Sequence, residues 1–378
     1  MKKIIRLQMG LVPWLWLLAP AAGPAFGGVS AGAGKIGLSG EVQFVYDQVQ
    51  QDQGNGQPRV ESFDLRHPRL ALSGDLGRFA DFYFRTEIMA GDTSGPPTTL
   101  LDARIDLKPL SFLSVSVGRF APAWTLYAPA DIHNLDTIRF PIMVDPTLSS
   151  FNPGRQTGAQ ANLHFGGNLD LHLGAFNGLD RPDNFSDNDA KKDLLLSGEM
   201  RLREQLRLLA GYYNGDLHIA DFTLAPGNSI TLPSGQTVTN TTNQALTVQG
   251  YNLHHESFDF GASGNLAGDR IRVRAEYLHH TATRAGATQV ESLGYLLHLG
   301  IKPLSRVETL VRYEYYDPDT GTANNERIWT TAGLNLGIND HSRLSLNYIF
   351  KKETGNNVSR GGNKSHNDEF LAGITAWW

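Results

Sequence analysis

The chain contains no cysteine. That absence excludes a disulfide scaffold, a thiol nucleophile, a cysteine zinc site, an iron–sulfur cluster and haem bonded covalently to this polypeptide. Long apolar runs are also missing after the amino terminus, and the mean hydropathy is −0.28. A bundle of spanning helices, each needing ~20 apolar residues, cannot be built from such a chain. Charged residues make up only 19% of the 378 positions, with a net charge of −5, and no nucleic-acid partner is expected. Two classes survive. One is a large soluble protein, and the other is a β-barrel whose alternating strands average to mild polarity.

Chemical motifs are scarce as well. There is no P-loop, dinucleotide fingerprint or zinc-protease helix motif. His254–His255 and His279–His280 are adjacent pairs in strand-like segments, where neighbours point to opposite faces, so neither pair chelates a metal alone. No serine, histidine and acid set stands out. The sequence therefore predicts neither an enzyme nor a bound cofactor or metal.

What is present begins with a leader. Lys2, Lys3 and Arg6 precede an apolar run from Leu11 to Ala22, followed by small residues with candidate cleavage points after Ala25, Ala31 and Ala33. This is the form of a secretory signal peptide, placed at 1–31, with the mature chain over 32–378. Losing those three bases moves the net charge from −5 to −8.

Period-two alternation dominates the rest. Leu101, Ala103, Ile105 and Leu107 alternate with Asp102, Arg104, Asp106 and Lys108, and Leu344, Leu346, Tyr348 and Phe350 alternate with Arg343, Ser345, Asn347 and Ile349. Sixteen strands are predicted, near 37–47, 62–74, 79–90, 99–108, 112–120, 157–165, 168–177, 194–203, 206–216, 248–264, 270–282, 289–301, 306–317, 326–337, 342–352 and 368–378. Long and short connections alternate along the chain. A sandwich has no reason to segregate its loops, whereas a transmembrane antiparallel β-barrel carries long loops outside and tight turns in the periplasm. Around Pro68 the apolar set changes face, which predicts a bulge.

The last strand presents Phe370, Ala372, Ile374, Ala376 and Trp378 on one face. It resembles the carboxy-terminal signature of Gram-negative outer-membrane proteins, which implies recognition by the barrel-assembly machinery through Phe370 and Trp378. Trp377 and Trp378 are expected in the aromatic girdle.

A wider resemblance is carried by Phe63–Asp64–Leu65–Arg66, Arg69–Leu70–Ala71–Leu72–Ser73–Gly74–Asp75–Leu76, Phe82–Tyr83–Phe84–Arg85–Thr86–Glu87, Leu101–Asp102–Ala103–Arg104 and Val117–Gly118–Arg119–Phe120. In order and spacing these resemble the amino-terminal half of the phosphate-selective porin O and P family. The resemblance implies a sixteen-stranded diffusion channel in the outer membrane, a homotrimer surrounded by lipid and narrowed by an inward-folded third loop. Phosphate selectivity in that family is associated with a lysine-rich pore. This chain has no lysine between 121 and 156, so the family name does not identify the solute.

The 121–156 loop is unusually apolar. It carries Trp124, Leu126, Tyr127, Ile132, Leu135, Ile138, Phe140, Ile142, Met143, Val144, Leu148 and Phe151. Folding against the inner barrel wall gives these groups a partner. Its charges, Asp131, Asp136, Arg139, Asp145 and Arg155, are nearly balanced. They are expected to face Arg66, Arg85, Arg104 and Arg119 across a constriction that selects by field. The competing expectation is that these arginines are held by Asp64, Asp81, Glu87, Asp102 and Asp106 as structural ion pairs.

Three functions follow. The first is a passive porin for small hydrophilic solutes or ions, general or mildly anion-preferring. The second is the barrel sheath of an electron conduit around a periplasmic multihaem cytochrome. The third is adhesion or phage reception through the Thr-, Asn- and Gly-rich 217–247 loop.

Overall fold

The computed structural model describes residues 29–31, 34–49, 60–88, 98–127, 130–145, 154–178, 191–202, 205–219, 222–227, 229–231, 237–239, 241, 244–248, 251–284, 289–353 and 367–378. Sixteen antiparallel strands follow one another in chain order. They are β1 (Gly34–Val49), β2 (Val60–Asp75), β3 (Ala80–Ile88), β4 (Thr98–Leu110), β5 (Leu113–Phe120), β6 (Gln156–Phe165), β7 (Leu169–Phe176) and β8 (Asp193–Leu202). The second half comprises β9 (Leu206–Ile219), β10 (Tyr251–Leu266), β11 (Ile271–Arg284), β12 (Val290–Leu304), β13 (Val307–Asp317), β14 (Arg327–Asn339), β15 (Ser342–Glu353) and β16 (Glu369–Trp377).

Each strand pairs with the next, and β16 pairs with β1 from Glu41 opposite Trp377 to Val49 opposite Glu369. That last ladder closes the sheet. In hydrocarbon an unpaired backbone group costs several kcal/mol, so a sheet crosses a bilayer only when it has no edge. No helix among the described residues is long and apolar enough to cross a membrane.

Closure turns each strand's two faces into an inside and an outside. On β10 Leu253, His255, Ser257, Asp259 and Gly261 are buried at alternate positions, while Phe258 and Phe260 are exposed. The exposed set over the whole barrel includes Leu38, Phe44, Leu72, Ile105, Leu196, Leu208, Leu297 and Ile374. The polarity is thus opposite to that of a soluble protein. Tyr212 against Phe258 (ring centroids 4.9 Å apart) and Tyr295 against Tyr315 (4.9 Å) belong to an outward aromatic band toward the long-loop end.

All sixteen predicted strands are found, several of them longer than predicted. β1, β2 and β10 each have 16 residues, against the ~9–11 that crossing requires, so they extend beyond the hydrocarbon. The segment near 248 separates from β10. Leu246–Val248 pairs with Phe222–Leu224 outside the barrel, and Ser229–Thr231 pairs with Thr237–Thr239. Of the expected leader, residues 1–28 lie outside the described set, and Val29–Ala31 forms a short strand on β1.

The tight turns all lie at one end. Gly166 and Gly167 (φ 59° and 76°) turn β6 into β7, and Ala267, Gly268 and Asp269 (φ 52°, 65° and 64°) turn β10 into β11. Both β1 and β16 meet that end, where Trp378 and Gly40 exchange two backbone hydrogen bonds of 3.0 and 3.1 Å. Trp378 and Phe370 face outward, as the carboxy-terminal pattern requires. Trp377 does not join the girdle. Strand parity turns it inward, where its ring stacks on His133 at 5.3 Å.

The bulge at Pro68 is present. The β1–β2 register runs Glu41 to Arg69 and Gln43 to Arg66, so His67 and Pro68 stand opposite Val42 alone, and His67 has φ 52°. This extra residue lets Phe63 and Leu65 face out on one side and Leu70 and Leu72 on the other, with Arg66 and Arg69 both inside. Deleting His67 turns one of these arginines toward lipid, at roughly 2–4 kcal/mol if it lies near the midplane. The expected outcome is a chain that loses its compact, heat-modifiable band in SDS electrophoresis. Retention of that band by the deletion variant overturns the assignment of the bulge.

Candidate pore constriction

After Phe120 the chain does not turn back over the rim. It enters the lumen, and its described residues, 121–127, 130–145 and 154–155, pack along the inner wall. Trp124, Leu126, Tyr127, Ile132, Leu135, Ile138, Ile142, Met143 and Val144 form one buried cluster with Val45, Phe176, Leu195, Tyr213, Leu296, Trp329 and Leu371 of the wall. Leu148 and Phe151 lie outside the described residues.

Glycines on the wall make this contact close. A Cβ on Gly211 (β9) would stand 2.7 Å from the Trp124 carbonyl oxygen, one on Gly261 (β10) 2.7 Å from Leu126 Cγ, and one on Gly294 (β12) 2.7 Å from Met143 Cβ. These inward glycines form a shelf that any larger side chain would obstruct.

Loop backbone groups are satisfied by wall side chains. The amides of Leu126, Ile138 and Ile142 donate to Glu276 (2.5 Å), Asn347 (2.7 Å) and Glu314 (2.8 Å). Arg343 donates to the Leu135 carbonyl at 2.8 Å and Asn335 to the Asp136 carbonyl at 2.9 Å. Without these partners, the non-helical backbone would bury unpaired polar groups.

Asp136 is the strongest anchor. Its carboxylate meets Arg272 Nη1 at 2.5 Å and Arg274 Nε at 3.1 Å, with His298 at 3.8 Å. Burial opposes its ionisation, but Arg274, His298 and Arg272 hold its carboxyl below the ordinary aspartate range. The sequence reading set Asp136 and Arg119 at the passage. The structure corrects both, because Asp136 is only 1% and Arg119 6% exposed. Asp136 is spent on the wall, and Arg119 donates to the Leu100 carbonyl at 3.3 Å.

The other predicted charges converge where the loop faces β1–β4. Arg66 contacts Asp47 (2.8 Å) and Asp64 (2.9 Å), while Arg85 contacts Asp131 (2.5 Å) and lies 3.5 Å from Asp102. Arg155 also binds Asp102 (3.0 Å), and Arg104 binds Asp106 (3.0 Å). Arg139 binds Glu369, with Asp47 at 3.4 Å. Asp145 is half-buried at the end of the described loop. Arg66, Arg85 and Arg104 thus stand on the inward side of their strands and are held by Asp64, Asp102 and Asp106, acids that the second expectation named.

The pairs are layered. Asp47, Asp102 and Glu369 keep only 9%, 6% and 0% of their side-chain surface, while Arg66, Arg155 and Arg139 above them keep 20%, 20% and 27%. In these three pairs the carboxylate lies against the wall beneath its arginine, whereas Asp64 (36%) and Asp131 (27%) are more exposed than Arg66 (20%) and Arg85 (13%). Sequence reasoning missed Arg69, which bridges Glu41 (3.1 Å) and Glu87 (2.6 Å), together with the anchors Arg272, Arg274 and Arg343. Strand parity on β11 and β15, with the bulge on β2, was the signal for these inward residues.

Two outcomes are expected. Asp136→Asn leaves Arg274 without this charge partner and Arg272 with Glu308 at 3.5 Å, a loss of roughly 1.5–3 kcal/mol, and should raise single-channel conductance and open-channel noise. Unchanged current traces would refute the anchor. A depressed folded pKa contributes stability that is present above the unfolded value and lost as pH falls through the folded one. The part of any acid-induced conductance change that Asp136→Asn abolishes should therefore fall below the ordinary aspartate range. Planar-bilayer recordings of both proteins across an acid series check this, and an Asp136-dependent transition within that range contradicts it.

The comparisons agree with this geometry. No curated protein matches the sequence significantly. Among solved structures, an anion-selective porin from Comamonas acidovorans is similar with TM-score 0.66 at 15% identity, covering 91% of this chain and 100% of that one. The in vitro folded OmpT of Vibrio cholerae, in its trimer form, gives TM-score 0.61 at 12% identity over 92% and 100%. The outer-membrane channel DcaP of Acinetobacter baumannii gives 0.62 at 12% identity over 93% and 100%. The model of the phosphate-selective porin O and P family matches residues 36–373, and the chain is a member of that family, a sixteen-stranded outer-membrane channel.

Proposed function

We propose that this porin is a passive diffusion channel for small hydrophilic solutes, with a preference for anions. The observation that carries the reading is the layering of the constriction, where Arg66, Arg139 and Arg155 cover Asp47, Glu369 and Asp102. At these three pairs a solute meets guanidinium edges before it meets the carboxylates beneath them. In a narrow aqueous path with low-dielectric walls, such a surface field outweighs the net charge of the chain. The pore residues are Arg66, Arg85, Arg104, Arg139, Arg155, Asp131 and Asp145, with Arg119 and Asp136 supporting them from the wall and the loop anchor. The fold shared with an anion-selective porin is compatible with this assignment.

The proposal includes export by the 1–31 leader, insertion through the Phe370–Trp378 signature, and assembly as a homotrimer, the form in which one solved neighbour is described. Its role is transport without catalysis. A cytochrome-sheathing conduit finds no support, because the third loop occupies lumen that a sheathed partner would need.

Under a KCl gradient, the purified protein in planar bilayers should give a reversal potential of anion-selective sign. Arg104→Ala should move it toward zero, and Arg119→Ala, whose guanidinium is buried, should move it less. A cation-selective wild type refutes the anion preference. Selectivity and conductance unchanged in both variants refute the pore-lining role.

A further inference from the structure

Beneath the third loop, at the tight-turn end of the lumen, lies a cavity of about 280 Å³. Its lining comprises Arg201, Arg207 and Arg274, the donors Gln205, Ser263 and Asn265, and apolar surface from Leu126 and Leu206. Among the described residues no carboxylate lines it. The acids that balance the arginines stand behind them. Glu199 binds Arg207 at 2.7 Å and Arg201 at 3.2 Å, Asp170 binds Arg201 at 3.1 Å, and Asp136 binds Arg274 at 3.1 Å. Arg274 is also set in place by stacking over the Tyr127 ring at 5.4 Å. The guanidiniums are therefore oriented from behind and reachable from the cavity.

A chain of polar groups with a carboxylate at each end connects the constriction to this cavity. Asp106, the partner of Arg104, accepts from Ser116 at 2.6 Å, and Asn162 donates to Ser116 and Ser114 at 3.4 and 3.3 Å. Ser114 lies 3.4 Å from His164, which meets Asp170 at 2.6 Å, and Asp170 binds Arg201. The inner wall thus passes from one set of arginines, through Asp106, hydroxyl, amide and imidazole groups and Asp170, to a second set at the periplasmic mouth.

The geometry points to a second solute-binding station, formed by Arg201, Arg207 and Arg274 with Gln205, Ser263 and Asn265, for small hydroxylated organic carboxylates such as sugar acids. This inference rests on the anion-preferring reading above and names the solute class. Planar guanidinium forks match a carboxylate. The remaining donors match hydroxyl groups, and Leu126 and Leu206 offer surface for a carbon skeleton. Size decides against an inorganic oxyanion alone, because the cavity of about 280 Å³ holds roughly nine water volumes. The station would retain a solute after the constriction and before release.

The test is calorimetric titration of the detergent-solubilised, heat-modifiable protein with gluconate, with inorganic phosphate and glucose as comparators. Gluconate should bind, with phosphate and glucose weaker. Arg201→Gln with Arg207→Gln should weaken gluconate roughly tenfold, and Arg207→Lys, which keeps charge but loses the fork, should fall between. In bilayers, gluconate should interrupt the current more effectively from the periplasmic side. Phosphate binding as tightly as gluconate overturns the solute class. An anion-selective channel that ignores gluconate, or a double variant that binds it unchanged, overturns the station and leaves the proposed function standing. A channel without anion preference that still binds gluconate overturns only that function.

Discussion

Everything in this molecule depends on the ladder between β1 and β16. A bilayer offers no hydrogen-bonding partner to a sheet edge, so the first and last strands must find each other across the whole length of the chain. Once they do, the barrel has an inside and an outside, and every strand has to distribute its residues accordingly. The terminal residue takes part directly, because Trp378 exchanges backbone hydrogen bonds with Gly40 at the seam.

Closure creates a second requirement. The lumen is lined by charges, and the barrel must hold them in place without losing access for water. It does so by ion pairs between neighbouring inward positions, such as Arg66 with Asp64 and Arg104 with Asp106. Exposed pairs of this kind contribute little to stability. Their effect is on orientation, because each carboxylate fixes the guanidinium it holds in one place on the inner wall. The third loop adds the remaining element. Its apolar residues would be exposed outside the barrel and are buried inside it, while its backbone relies on Glu276, Glu314, Asn347 and Arg343. The charges of the lumen and the anchors of the loop therefore share the same inward faces of the wall.

Much of the fold was legible because lipid and water impose period two on each strand, and the signal repeats sixteen times. The bulge was legible from the parity change at Pro68, and the inward loop from Trp124, Ile132, Ile138 and Met143, apolar residues with no reason to face solvent. The constriction was legible only in part. Arg66, Arg85, Arg104, Arg139 and Arg155 could be named from strand and loop position. Asp136 and Arg119 could not be distinguished from them, because burial depends on which strand stands opposite. Trp377 was assigned by residue type, although parity placed it inside. The wall glycines at 211, 261 and 294 carry no period of their own and become meaningful only when the loop lies on them.

The sequence by itself determined the barrel, its strand order, its two chemical faces and the identity of the loop that enters it. These are local properties, set by alternation, turn residues and composition within short segments. Tertiary structure alone decided which charges became anchors and which stayed at the passage. Asp136 belongs to the wall because β11 brings Arg272 and Arg274 to the loop, and Arg139 belongs to the lumen because Glu369 sits below it. Such pairings join residues far apart in the chain, across a distance that only closure removes, and no local pattern records them.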